Sequence, residues 1–463
     1  MEQKQHLEQK GYTGQQKLTI FVVVLTAFVT TFTGSALNLS IPDIGQQFGV
    51  SAQLVGWLIT GYTLAVAAIS VPMGRLADIT CRKTVLVAGT AVFTVCCIAA
   101  VFSISLMMLL ILRIVQGIGA AMIFSTNTAV LLSAFPGTMR GRVIGYSIAA
   151  TYGGLSAGPV IGGILNQNLG WQSIFVLTGF LSLVSLAAAV WKLPKERAEN
   201  SGHSMDLPGN LLYVIFIVLL MYGLSEIGTR PLPLVLAAIG LTFGAVFVWR
   251  ELKADEPAVN LSMFRKNIGY ACSNLSALLN YGATFAVSYL ISIYLQVVMG
   301  YSSQTAGMIM IAQPLIMAVL SPVTGRFSDK ISPFKMSSVG MALCAAGAAL
   351  FVFLHTDTSL VLILTALVIT GMGFSLFSSP NTNAVMSCVE QADYGVASSI
   401  LATMRSIGNT LSMVIVTIVV NRFLRGVPLA DAQPEVLVQV IRISFIVFTA
   451  ICIAGIFLSL KRK

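Results

Sequence analysis

In the stretch ILRIVQG, residues 111–117, an arginine stands inside an otherwise uncharged apolar run. At mid-bilayer such a charge costs about 2.5–3.5 kcal/mol on insertion scales, so it persists where it faces a bundle interior, a wet cavity or a partner. Arg113, Gln116 and Gly117 share one helix face at i, i+3 and i+4. Two chemistries suit that face. The guanidinium binds an anionic substrate or biases proton movement, or it is satisfied by backbone carbonyls and polar neighbours such as Asn38. Arg405, within SSILATMRSIGN, is a second arginine inside a span. None of the 17 acidic residues is expected at mid-depth; Glu226 and Asp43 come closest, each near the outer end of a span. Dipoles, water or an anionic ligand are therefore the expected partners of Arg113. Any coupled proton would use Glu226, Asp43, Asp78 or the substrate's own acid group. Tyr62, Asn127, Asn274, Asn280, Tyr281, Gln313, Asn381 and Asn383 are polar positions within spans, either substrate liners or interhelical hydrogen bonds. Phe374 and Phe377 either stack on an apolar substrate or pack.

The elements that must position these groups are membrane helices. Of 463 residues, 56% are hydrophobic and 10% charged, too few charges to keep a soluble surface of this size wet. Fourteen apolar stretches, from 18–41 to 440–460, approach the ~20 residues needed to cross a bilayer. The weakest are 208–228 and 232–249, joined by TRPLP. The first stretch is too long for a signal segment and reads as a retained span. Threading the stretches with the N-terminus inside puts nearly all 27 lysines and arginines in inner loops. The exceptions are Arg230, Arg422, Arg425 and Arg442 outside, and Arg113 and Arg405 within spans. Both termini are thus expected in the cytoplasm. The net charge of +10 is a topology signal, not a nucleic-acid surface. Seven scattered cysteines and three histidines make no metal or disulfide spacing, and no G-x-x-x-x-G-K-[ST] loop occurs. No catalytic residue, metal or cofactor is expected.

GRLADITCRK (74–83) and GRFSDKISPFK (325–335) resemble each other and follow the second span of a six-span group. Parallel repeats of this kind place a transporter's substrate site between them. The expected organisation is a six-helix bundle over 1–192, two inserted helices with linkers over 193–262, and a second six-helix bundle over 263–463. Asp78, at the turn after the second span, can meet an arginine or a helix N-terminus of the other bundle when the inner side shuts. Arg82 and Lys83 are membrane anchors or part of that contact, and Asp329 is the counterpart of Asp78. Gly154, Gly158 and Gly162 recur every four residues and form a smooth face for close helix approach, static or hinged. Pro159 removes a helical hydrogen bond there.

These motifs resemble the major facilitator superfamily, in its fourteen-helix drug:proton antiporter branch, over nearly the whole chain. GRLADITCRK is similar to the family's loop motif at Gly74, Leu76, Ala77, Asp78, Arg82 and Lys83, departing at Ile79 and Cys81. LRIVQGIGAA resembles its fourth-helix motif, and GLSAGPVIGG its fifth-helix antiporter motif. NLSIP, with Asn38 and Pro42, resembles the end of its first helix; GWLITGYTLA adds Trp57 and Tyr62, and YGVASSILATMRSIG resembles the thirteenth helix. Aligned on Asn38 and Pro42, Thr33 stands where the family usually carries a membrane-embedded aspartate.

The resemblance implies an all-α fold of two six-helix bundles plus two inserted helices. It also implies a non-enzymatic secondary transporter of the plasma (inner) membrane that exports small lipophilic compounds, with protons as possible partners. An organic-anion facilitator or exchanger using the buried arginines is the alternative. A receptor on the same scaffold would need a relay domain, and none is apparent. The chain is expected to act as a monomer in contact with membrane lipids. The candidate substrate and coupling residues are Arg113, Gln116, Asn38, Tyr62, Asn280, Gln313, Asn381, Arg405 and Glu226. The candidate conformational residues are Gly74, Asp78, Arg82, Gly154, Gly158, Pro159, Gly162 and Asp329.

Overall fold

The computed structural model describes residues 12–38, 40–50, 52–193, 204–226, 231–254, 256–259, 261–424 and 433–460. Lys195, Arg197, Arg230, Arg425 and the charged chain ends, all used in the sequence-based topology, lie outside them. Among the described residues the chain is helical throughout, and fourteen helices are long and apolar enough to cross a membrane.

The first six are α1 (Gly14–Asn38), α2 (Ala52–Ile79), α3 (Arg82–Val101), α4 (Leu106–Ser133), α5 (Arg140–Ala157, continuing to Leu169) and α6 (Gln172–Lys192). Two more follow, α7 (Leu207–Ser225) and α8 (Pro231–Glu251). The last six are α9 (Ile268–Thr284, continuing to Val298), α10 (Ser303–Met310 and Ala312–Ser328), α11 (Pro333–Phe351), α12 (Leu360–Ser387), α13 (Tyr394–Leu424) and α14 (Pro434–Leu460). Side chains start several of them. Ser105 accepts from the Met108 N–H, Asn267 from Tyr270, Ser302 from Thr305 and Asp206 from Gly209, each satisfying an orphan first-turn donor. Within the spans, hydroxyls such as Thr26, Thr90 and Thr370 donate to carbonyls one turn back, so they need no water.

Small residues set how closely the helices approach. A Cβ on Gly89 would lie 2.8 Å from the Gly119 carbonyl oxygen, and one on Gly119 2.8 Å from that of Gly89, so α3 and α4 touch backbone to backbone. Gly117 brings α4 onto α2 in the same way, at the Tyr62 carbonyl. Two seams join the six-helix groups: α2 packs on α13, and α5 packs on α10. The inserted α7 and α8 pack on each other, and α7 lies along the α2–α13 seam. One apolar cluster there joins Ala67, Ala68 and Val71 of α2, Tyr213, Ile217 and Met221 of α7, Phe247 of α8, and Val396 and Ile400 of α13.

Two sequence expectations change. Helix α2 runs through Ile79, so Asp78 lies in its last turn and shares a face with Gly74, rather than in the following loop. The helix continues past its apolar run because Asp78 and Arg82, four residues apart, neutralise each other. At Gly158–Gly162, around Pro159, α5 takes up a five-residue π-helical segment instead of a simple bend. The wider turn absorbs the missing proline N–H.

Candidate functional site

The loops bearing Arg82, Lys83, Arg140, Arg142, Arg326, Lys330 and Lys335 form one end of the helix assembly, the basic face. There a carboxylate bridges each seam. Asp78 accepts from the backbone N–H groups of Gly395 (3.0 Å) and Val396 (2.8 Å), at the first turn of α13. It also accepts from Arg82 Nε at 3.0 Å and Nη2 at 2.9 Å. The same guanidinium reaches the carbonyls of Gln391 and Ala392, in the turn before α13. Across the other seam Asp329 accepts from the N–H groups of Gly141 (2.6 Å) and Arg142 (2.9 Å), at the first turn of α5. Each carboxylate thus meets the positive end of a helix dipole belonging to the other group.

Glycines make the approach possible. A Cβ on Gly74 would lie 2.6 Å from the Gly395 carbonyl oxygen, and one on Gly395 2.6 Å from that of Gly74. Gly325 and Gly141 stand in the same mutual relation, each blocked by the other's carbonyl. Asn383 adds a donor at the second seam, giving hydrogen bonds to the Ser328 hydroxyl (3.0 Å) and carbonyl (3.3 Å). Burial holds the Asp329 carboxyl above its usual range, against the opposing pull of the two backbone N–H groups and the Arg142 charge.

Gly154, Gly158 and Gly162 face α1. Added Cβ atoms there would meet Phe28 and Thr31, Ser35, and Ala36 respectively. Thr31 Oγ1 donates to the Thr151 carbonyl (3.0 Å) and Ser35 Oγ to that of Leu155 (3.0 Å), which fixes the register of the two helices.

Arg113 is fully buried among α2, α3 and α4. Its Nε donates to the Leu58 carbonyl at 3.2 Å, Nη1 donates to Gln116 Oε1, and the guanidinium carbon lies 4.2 Å from the Tyr62 ring centroid. Gln116 Nε2 donates onward to Cys97 Sγ. The partners are dipoles and an aromatic face, and among the described residues no carboxylate joins them. Nη2 of Arg113 and the Tyr62 hydroxyl are buried without a hydrogen-bond partner among the described residues. Asn38 is not among the partners; it sits exposed at the far end of α1.

A second cluster spans the two six-helix groups. Tyr152 of α5 donates its phenol to Ser378 Oγ of α12 (3.3 Å) and lies 3.4 Å from the Tyr281 hydroxyl of α9. Phe374 meets both rings edge-on, at centroid distances of 5.6 and 5.1 Å. Arg405 of α13 donates from Nη2 to Thr382 Oγ1 (2.7 Å), lies 5.5 Å from the Tyr281 ring, and keeps a buried Nε with no partner among the described residues. Two phenols, a phenyl ring and a guanidinium thus line one interface, suited to a flat, π-rich molecule with an acceptor or negative group.

Three candidates fall elsewhere. Asn280 donates to Met341 Sδ (3.2 Å), Asn381 donates to the Ser273 carbonyl (3.2 Å), and Gln313 packs its backbone on Gly371. All three tie helices within the second group. Glu226 caps the end of α7, half-buried. Sequence reasoning missed Tyr152, whose one signal was its place on the helix carrying the glycine face. It also missed Tyr213, which donates to the Ala67 carbonyl of α2 (3.1 Å) and shares a 2.7 Å hydrogen bond with Thr403 of α13. Glu251 is a buried acid at the end of α8; it accepts from the Val259 N–H (2.8 Å), near an ion pair of Arg250 with Asp206.

The sequence profile of the Major Facilitator Superfamily matches residues 23–413. The chain belongs to the Major Facilitator Superfamily. Among curated relatives it is 30% identical over 397 residues to the riboflavin transporter RibZ of Clostridioides difficile (strain 630), covering 86% of each chain. It is 29% identical over 411 residues to the multidrug resistance protein Stp of Mycobacterium tuberculosis, covering 86% of this chain and 75% of Stp. The structure of the human organic anion transporter MFSD10 superposes with a TM-score of 0.68, over 96% of this chain and 98% of that one. At 14% identity that likeness concerns the fold alone. This Major Facilitator Superfamily protein is therefore a multi-pass membrane transporter and not an enzyme.

Proposed function

We propose that the chain is an efflux-type secondary transporter that moves small, flat, lipophilic molecules by alternating access. Its substrate would be recognised between the bundles by Tyr152, Tyr281, Phe374 and Arg405. The observation that carries this is the aromatic and guanidinium cluster at the interface of the six-helix groups, beneath two closed seams. The names of the relatives, a multidrug resistance protein and a riboflavin transporter, are consistent with π-rich cargo. The bundles are taken as 1–192 and 263–463, with 193–262 inserted. The basic face is taken as cytoplasmic, with both termini on that side of the plasma membrane; the distribution of lysine and arginine supports this. Asp78, Asp329 and their glycines act as latches, so the basic-face-closed form is the outward-facing one.

A second reading, preferential transport of organic anions, is favoured by one feature: among the described residues Arg113 and Arg405 have no carboxylate partner. In low dielectric two such charges repel a permanent cation strongly. Neutral and anionic aromatics are therefore expected to outcompete quaternary ammonium compounds. Proton antiport would be carried by the latch acids or by the substrate. Counterflow in proteoliposomes, using a neutral flavin-like dye, an aromatic carboxylate and a quaternary ammonium dye, with and without a pH gradient, tests both parts. Arg405→Gln should reduce uptake of the carboxylate about tenfold and spare the neutral dye. Efficient transport of the quaternary dye, unaffected by Arg405→Gln, would refute the substrate assignment.

A further inference from the structure

The hydroxyl oxygens of Tyr152, Tyr281 and Ser378 stand at the corners of a triangle with sides of 3.3, 3.4 and 3.4 Å. Ordinary O–H···O bonds are about 2.7–2.8 Å long, so the three hydroxyls hold one another weakly. Tyr152 donates to Ser378. Among the described residues the Ser378 hydroxyl meets only the two phenols, so its own proton turns to Tyr281, and that of Tyr281 to Tyr152. Each proton thus occupies a long bond that a better acceptor would displace. A triangle of this size lets one oxygen sit above its centre at about 2.8 Å from every corner, with three O–H groups converging on it.

Helix α12 sets this geometry. Phe374, Ser378 and Thr382 share one of its faces at four-residue spacing. Phe374 meets both phenol rings edge-on. Thr382 donates to the Ser378 carbonyl (2.8 Å), which leaves its oxygen to accept from Arg405. Gly408 lets α13 close on α9: a Cβ there would lie 2.6 Å from the Leu278 carbonyl oxygen and 3.0 Å from Tyr281 Cβ. The Arg405 charge therefore stands beside the triangle, 5.5 Å from the Tyr281 ring. Among the described residues no carboxylate bonds to it or to the three hydroxyls. A hydroxyl accepts as well as it donates, and the neighbouring cation decides between the two: it favours an acceptor at the triangle and repels an ammonium donor.

We propose that this triangle is an oxygen-recognition site that selects flat aromatic cargo bearing a carbonyl or carboxylate oxygen, and that Ser378 sets the preference. The proposal rests on the reading above, that cargo binds against these rings. The phenols also offer cargo their rings, whereas Ser378 offers a hydroxyl without a ring. Tyr281 and Arg405 are half-buried while Tyr152 and Ser378 are buried, so the open side of the site is that of the first pair. One corner comes from α5 and two from α9 and α12, so an oxygen seated there bridges the two six-helix groups.

Equilibrium binding of fluorenone and fluorene to the purified full chain tests this, because the two planar probes differ only in a carbonyl against a methylene. The wild type should hold fluorenone the more tightly. Ser378→Ala should lower the fluorenone-to-fluorene affinity ratio about three- to tenfold, the weight of one neutral hydrogen bond. Tyr152→Phe and Tyr281→Phe each remove another corner and keep a ring, and should lower the ratio as far. Partition into detergent is common to wild type and variant and cancels in the comparison. As a second readout, the carbonyl stretch of bound fluorenone should lie below its position in a hydrocarbon and rise in each of the three variants, a shift that altered packing alone would not give. Phe374→Ala should weaken both probes alike. If neither probe binds, or if Phe374→Ala weakens neither, the cargo reading itself falls and this site with it. If Phe374→Ala weakens both while Ser378→Ala leaves the ratio and the stretch unchanged, the oxygen site alone is overturned.

Discussion

The α2–α13 and α5–α10 seams are pseudo-equivalent, yet they are held by different means. Each has a carboxylate on a helix N-terminus and a pair of glycines whose carbonyls block one another's Cβ positions. At the first seam Asp78 is reinforced by Arg82, four residues on, which also reaches the far side. The residue four after Asp329 is Pro333, which starts a helix and donates nothing. The first seam is further covered by α7, whose Tyr213 bonds to both α2 and α13. The second seam is flanked by α12, which bonds to α10 through Asn383 and to α5 through Ser378, but among the described residues no inserted helix lies along it as α7 does along the first. The steric and dipolar core is thus common to the two seams, and what surrounds it differs. With Arg82 and Tyr213 as additional braces, the α2–α13 seam is expected to be the harder of the two to open.

The largest effect should come from the shared element. Gly74→Val and Gly141→Val each push one backbone off another, so basic-face closure should fail and transport fall below about a tenth of wild type at normal expression. If only one variant fails, the seams are not equivalent even at their cores. Next come the carboxylates. Asn can accept one backbone N–H but presents a donor to the other, and Asp78→Asn also strands Arg82. Transport should drop about 10- to 100-fold for Asp78→Asn and only a few-fold for Asp329→Asn, with substrate affinity nearly unchanged in both. Proteoliposome rates alongside equilibrium binding would show this order, and a reversed order would remove the distinction between the more and the less braced seam. Tyr213→Phe should have a smaller effect, two- to tenfold, since it removes two neutral hydrogen bonds and keeps the ring packed.

The smallest effect concerns pH. Burial raises the Asp329 carboxyl in this closed form, so against a solvent-exposed carboxyl in an open form, closing this seam is expected to take up protons. That contribution to the closed form is complete below the ordinary carboxylate pKa of about 3.9 and is lost as pH rises through the raised value. Asp329→Asn should flatten the pH dependence of the closed population in that window, measured by fluorescence quenching across the basic face.

Much of this was legible in the sequence because the bilayer imposes length and hydropathy on every span, and because glycine at i and i+4 has few uses other than close approach. Gly74–Asp78 and Gly325–Asp329 announced themselves as a repeat, and Asp78 was expected to meet a helix N-terminus of the other bundle or an arginine; it meets both. The end of α2 was misplaced because a charged turn looks like a loop when the neutralising partner follows four residues later. Asn280, Gln313 and Asn381 were ambiguous for a different reason: a polar side chain in a span must bond to something, and sequence does not say whether that is protein or cargo. Tyr152 and Tyr213 were invisible because a tyrosine in an apolar run packs like a phenylalanine until its hydroxyl is seen to cross a seam. Glu251 was hidden at a span's end, where acids are usually wet.

The central claim is that the basic face is held shut by Asp78 and Asp329 and opens during transport. In a cysteine-free background, spin labels at Thr80 and Glu390, both exposed on opposite sides of the α2–α13 seam, report that closure directly by pulsed dipolar spectroscopy. The account predicts a predominantly short-distance population in the wild type, and a second, longer population of comparable size in Asp78→Asn. An unchanged distance distribution in Asp78→Asn, alongside lost transport, would contradict it.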